Sequence, residues 1–82
     1  MAKKKFQLRG LSPQNTLIVN HFRRAGRITQ RQAIMDYSIQ SLTKRIAELR
    51  VAGLDVESVA KNHPITNQRY VEYRSDGTKI AA

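Results

Sequence analysis

Between Thr29 and Gly53 the sequence carries two helical patterns only three residues apart, and that joint constrains the fold more than any other feature of the chain. Thr29 with Gln32 three residues later forms a capping box, and Ile28 can staple onto Ala33 across the first turn, so a helix opens at Gln30. Ala33 and Ile34 are expected to face inward. Asp36-Tyr37-Ser38 then brings turn-favouring residues after barely two turns, ending the helix near Asp36 or Tyr37. Ser38 is placed to cap the next helix, which carries Ile39, Leu42, Ile46 and Leu49 at spacings of three, four and three before Gly53 stops it. So short a connection forces the two helices to cross steeply.

That later helix has a distinctive outer side. With residues set at about 100° each and Leu42 at zero, Ile46 and Leu49 fall within about 40° and Ile39 at about 60°. The opposite side holds Gln40, Thr43, Lys44 and Ala47, with Ser41 and Glu48 at one edge. Short hydroxyls, an amide, a cation and a methyl can approach the edges of bases without steric obstruction. A merely solvated face would look similar, although such faces usually hold more Glu and Lys.

Upstream, Ser12-Pro13 starts a first helix, since the serine oxygen can accept from a first-turn amide and proline loses no bond at the first helical position. Leu17, Ile18, Phe22 and Ala25 form its stripe and Gly26 ends it, giving a helix over 13–25, with His21 at the boundary of the stripe. Downstream of Gly53 the period becomes alternating, and two strands are predicted over about 56–61 and 69–75. Between them Asn62-His63-Pro64-Ile65-Thr66-Asn67-Gln68 is too long for a tight hairpin and reads as a mobile connection. The expected organisation is a flexible basic arm over 1–11, one domain over 12–75 and a tail over 76–82. Leu17, Ile18, Phe22, Ile28, Ile34, Leu42, Ile46, Leu49, Val56, Val71 and Tyr73 are the expected core.

Charge narrows the partner. The 82-residue chain has a net charge of +9, and residues 1–50 hold all of that excess, with eleven cations against Asp36 and Glu48, whereas residues 51–82 balance. A localised basic surface suits a polyanion, whose phosphates shed condensed counterions when neutralised. Other classes are disfavoured. Without cysteine there is no disulfide, thiolate metal site or thiol nucleophile. No apolar run is long enough for a membrane span, and Lys3, Lys4 and Lys5 are not followed by the apolar stretch of a signal peptide, so the expected address is the cytoplasm. His21 and His63 fall in separate elements with no paired carboxylates, phosphate loop or metal-ligand spacing beside them, so no enzyme activity, cofactor, metal or small-molecule substrate is expected.

Three helices, a short joint between the second and third, and then a β-hairpin give an α+β, mainly α, class in the order of a winged helix-turn-helix. The sequence also resembles the small helix-turn-helix proteins of bacteriophages and prophages. The residues that carry the resemblance are Gly26-Arg27-Ile28-Thr29, Ala33, and the run Leu42-Thr43-Lys44-Arg45-Ile46-Ala47-Glu48-Leu49-Arg50-Val51-Ala52-Gly53, within about residues 13–74. One departure is the turn, where relatives often have glycine and this chain has Asp36-Tyr37-Ser38. The resemblance implies sequence-specific binding of double-stranded DNA, in transcriptional regulation or as a recombination directionality factor, in the cytoplasm of a bacterial host and associated with its nucleoid.

Carried over by position, Gln40, Ser41, Thr43 and Lys44 are the candidate base contacts, and Arg27, Thr29, Arg31, Arg45 and Arg50 the candidate phosphate contacts. Arg45 could equally pair with an acid such as Asp36. Lys61, His63 and Arg69 would form the wing that enters an adjacent minor groove. Five to seven neutralised phosphates would give a log–log salt slope of about −4.5 to −6. A homodimer on DNA is compatible with this reading, although no separate apolar seam offers one. The rival is a protein-interaction module acting on a host protein through an exposed apolar patch, for which Leu54 and Ile65 are the candidates. A single-strand binder would instead depend on Tyr70 or Tyr73.

Overall fold

The computed structural model describes residue 6 and residues 8–80. Helix α1 spans Pro13–Ala25, strand β1 Arg27–Thr29, helix α2 Gln30–Tyr37, helix α3 Leu42–Val51, strand β2 Glu57–Asn62 and strand β3 Arg69–Arg74. Helix α1 starts where its signals place it: Ser12 Oγ accepts from the amide of Asn15, and Gly26 closes the other end in the left-handed region. The Thr29–Gln32 capping box forms in both directions. No helix among the described residues is long and apolar enough to cross a membrane.

The sheet has one strand more than expected. Arg27–Thr29, between α1 and α2, pairs antiparallel with β3, giving the order β1-β3-β2. Ile28 sits opposite Tyr73, and both are buried, so this short strand ties the hairpin to the helices. A three-residue strand carries too little alternation to be recognised in sequence.

The joint between α2 and α3 is built differently from the expectation. Ser38 does not cap α3. It closes α2 in the left-handed region at φ 57°, where its amide donates to Ile34 and Ala33 carbonyls, and Ile39 drops into the core. Ser38 therefore takes the backbone conformation that glycine supplies more cheaply in such a turn. Ser41 precedes α3 but makes no side-chain cap; the amide of Leu42 donates instead to Gln30 Oε1 at 2.8 Å. Gln30 Nε2 in turn donates to the Ile39 carbonyl at 2.9 Å, so one side chain from the start of α2 clamps both ends of the turn.

The core joins Ile18, Val19 and Phe22 of α1, Ile28, Ala33 and Ile39, the α3 stripe Leu42, Ile46 and Leu49, and Leu54, Val56 and Tyr73. Three expected core residues, Leu17, Ile34 and Val71, lie at its rim and are 42%, 48% and 38% exposed, because Val19, Ala33 and Tyr73 fill the inward positions of their elements. Leu54, expected as part of an exposed patch, is fully buried. His21 is buried rather than marginal: its Nδ1 is hydrogen-bonded to Tyr37 Oη at 2.7 Å, and that oxygen accepts from Arg24, tying α1 to the end of α2.

Both terminal segments also differ from their expected roles as arm and tail. Phe6 is buried in the core, with Leu8 and Leu11 packed against it, and its amide donates to the Thr78 carbonyl. Arg23 donates to the carbonyls of Gly77 and Phe6, while Asp55 donates its amide to Lys79 and Leu54 bridges to Ile80. Two segments with no period of their own are thus strapped across the back of α1, an arrangement made by contacts distant in sequence. Residues 1–5 and 7 of the expected arm, and 81–82 of the expected tail, lie outside the described residues.

Candidate nucleic-acid interface

Helix α3 turns Leu42, Ile46 and Leu49 inward and leaves Gln40, Ser41, Thr43, Lys44 and Ala47 exposed on its outer side and at its amino end. Among the described residues, the side chains of Gln40, Ser41 and Lys44 have no hydrogen-bond or ion-pair partner within the protein. Thr43 is partly committed, its Oγ1 lying 3.2 Å from Tyr73 Oη. Val51, 90% exposed, continues the same outer side beyond Ala47. Its place about 180° from Leu42 follows from the helical period, so the angular argument that picked Lys44 also finds it.

The hairpin stands beside α3 because two contacts hold it there. Thr43 meets Tyr73 on β3, and Arg50 reaches across to the Val56 carbonyl at 3.0 Å and Ser58 Oγ at 2.7 Å, its guanidinium 6.0 Å from the centre of the Tyr73 ring. Between α2, α3 and the hairpin lies an open cleft of ≈ 540 Å³, lined by Thr29, Gln30, Arg31, Thr43, His63, Gln68, Arg69, Tyr70, Val71 and Tyr73. Five of the candidate duplex contacts therefore converge, Thr29, Arg31, Thr43, His63 and Arg69, beside Tyr70 and Tyr73, on which a single-strand binder would depend. Gln40, Ser41 and Lys44 are outside that lining.

Several candidate contacts are engaged within the protein. Thr29 Oγ1 accepts the amide of Gln32 as the cap of α2. Arg45 pairs with Glu48 at 3.4 Å, one turn along the same helix, and not with Asp36. Arg50 braces α3 against β2. On the hairpin, Lys61 pairs at 2.7 Å with Glu72, which is 5% exposed and also bound by Arg74 at 3.0 Å. The Lys61 ammonium, with help from Arg74, holds the Glu72 carboxyl below its ordinary range against the opposing effect of burial. Arg27, Arg31, Lys44 and Arg69 are exposed, and none has an acidic partner among the described residues. Of the candidate contacts, these four are the cations left for another molecule.

The connection between β2 and β3 is a hydrogen-bonded turn and not the loose segment expected. His63 Nδ1 accepts from the amides of Ile65 at 3.1 Å and Thr66 at 3.3 Å, while the His63 backbone donates to Gln68 and accepts from Asn67. The histidine shapes the tip that carries its neighbours.

Three helices, a clamped short turn, an outward polar face on the third helix and a hairpin tied to its flank form one recognisable arrangement, and the winged helix-turn-helix domain family matches residues 13–74. The chain belongs to that family. Membership supports DNA as the partner, and the β2–β3 hairpin corresponds to the wing of the fold. Comparison with curated proteins and with solved structures found no match.

Proposed function

We propose that this winged helix reads a particular sequence of double-stranded DNA, with α3 in the major groove and the wing in the adjacent minor groove. The observation that carries the reading is the outer side of α3: Gln40, Ser41 and Lys44 are exposed and unspent on the fold, beside a cleft rimmed by Arg31 and Arg69. Gln40 offers an amide suited to an adenine edge and Lys44 an ammonium suited to guanine acceptors, while Thr43, Ala47 and Val51 present methyls to thymine. Arg27, Arg31 and Arg69 supply phosphate contacts that orient the domain without reading sequence. Of the other candidates, Arg45 and Arg50 reach phosphate only by giving up an internal partner, and Lys61 only by leaving Glu72.

The resemblance of the Gly26–Gly53 region to small phage and prophage proteins supports a role in transcriptional control or recombination directionality. The rival reading, a module that inhibits a host protein, loses much of its motivation because Leu54 is buried and Ile65 stands alone at the wing tip.

Selection from a random duplex library tests the proposal, with the length of the bound footprint reporting one copy or two. A defined consensus is expected. Lys44→Ala should relax preference at one base pair by about 1–3 kcal/mol, whereas Arg27→Ala should weaken all duplexes alike. Equal binding of every duplex by parent and both variants would defeat the assignment of α3.

A further inference from the structure

The most exposed apolar group outside the helices is Ile65, 87% exposed at the tip of the wing, directly after Pro64. An isoleucine in a loose loop could fold back onto the hairpin and shed its hydration cost. Here the tip is braced to prevent that. The imidazole of His63 accepts the amides of Ile65 and Thr66, Thr66 Oγ1 accepts the amide of Gln68, and Asn67 takes the left-handed conformation at φ 57°. Pro64 removes a backbone freedom at the adjoining position. These bonds close within the turn, and from Asn62 to Val71 every residue except His63 is exposed, so the tip projects from the body of the domain.

We propose that Ile65 is a wedge: the wing enters the minor groove and presses this side chain, backed by Pro64, between two base pairs, partly unstacking them and bending the duplex. The inference rests on the duplex-binding reading and adds to it a deformation of the DNA. Proteins that enter the minor groove bend DNA in this manner with isolated apolar side chains, kinking it by about 20–90° towards the major groove. Three features here match that task. The side chain is apolar and branched; its turn is organised before binding, so little ordering is left to offset; and Arg69, unpaired at the foot of the same turn, is available to grip the backbone beside the insertion. A protein partner would need roughly 1,000 Å² of interface, whereas Ile65 and Pro64 at the tip form only a small apolar knob in polar surroundings.

The test uses the full chain and the duplex obtained by selection with it, carrying a fluorescent donor and acceptor at its ends and 2-aminopurine placed at successive positions. Binding is expected to shorten the end-to-end distance and to raise 2-aminopurine emission at one step. Ile65→Ser should abolish both signals and weaken binding about 10-fold or more, while Ile65→Met keeps them. Both variants should melt with the parent, since the side chain touches none of the core. Tight binding by the parent to a straight, fully stacked duplex would overturn the wedge and leave the DNA reading intact, as would undiminished bending by Ile65→Ser. Failure of the parent to bind any duplex at low salt would overturn both.

Discussion

The back of α1 and the outer side of α3 use the same residue types in opposite ways. At the back, Arg23 spends its donors on the carbonyls of Gly77 and Phe6, Phe6 is buried, and the chain passes so close to α1 that only glycine fits at 77. At the front, the side chains of Gln40, Ser41 and Lys44 make no hydrogen bond or ion pair among the described residues. Among the described residues, Arg23, Arg24, Arg45, Arg50, Lys61 and Arg74 are spent on holding the domain together, whereas of the candidate nucleic-acid contacts Arg27, Arg31, Lys44 and Arg69 remain available.

The sharpest way to break this division is to damage the back. A Cβ on Gly77 would lie 2.6 Å from Arg23 Cγ and 2.9 Å from the Val19 carbonyl oxygen, at a backbone φ of +74°. Gly77→Ala should therefore cost about 2–4 kcal/mol, read as a fall in the urea midpoint, with the salt dependence of duplex binding by the folded fraction unchanged. Stability within about 0.5 kcal/mol of the parent would show that the C-terminal segment is no part of the cooperative fold.

A smaller effect is expected where the two regions meet. Gln30→Ala strips the partly buried Leu42 amide and Ile39 carbonyl of their shared partner, a loss of about 1–3 kcal/mol. Because the clamp sets the angle of α3, duplex affinity should fall by more than the loss of folded protein explains. An unchanged affinity per folded molecule would mean that the turn holds its shape without the clamp.

The smallest effect concerns the wing and is read through pH. Glu72 is held below its ordinary pKa chiefly by the hydrogen bond from Lys61, so its ionised form stabilises the fold. That contribution is complete above the unfolded carboxylate value of about 4.3 and is lost as pH falls through the lower folded value. Glu72→Gln should therefore flatten the acid limb of the stability profile and leave its shape near neutrality unaltered. An acid limb identical to that of the parent would remove Glu72 from the account.

Much of the front was legible from sequence, and most of the back was not. Ser12-Pro13, the Thr29–Gln32 box and the Leu42, Ile46, Leu49 stripe act within one or two turns, so each helix and the outward direction of Lys44 could be read locally. Strand β1, the burial of Phe6 and the close approach at Gly77 depend on pairings across the chain and have no local pattern. The candidate site divided for the same reason. Exposure of Lys44 follows from the period of one helix, although Gln40, expected on that helix, lies in the turn before it; the capture of Arg50 by Val56 and Ser58, and of Lys61 by Glu72, depends on how elements meet. Ser38 reads in sequence as a turn former and as the cap of the third helix; that it instead ends α2 at positive φ emerges once Ile39 is seen in the core.

On the proposed reading four of the candidate cations meet a phosphate backbone while the paired ones serve the fold, and the salt dependence of duplex affinity decides whether they do. Arg27, Arg31, Lys44 and Arg69, each neutralising one phosphate, should contribute about −3.6 to the slope of log affinity against log salt. Arg31→Ala should reduce the steepness by about 1 and leave the urea midpoint alone, whereas Arg50→Ala should lower that midpoint and leave the slope alone. A flat salt profile for the parent, or the same slope change from both variants, would contradict the account.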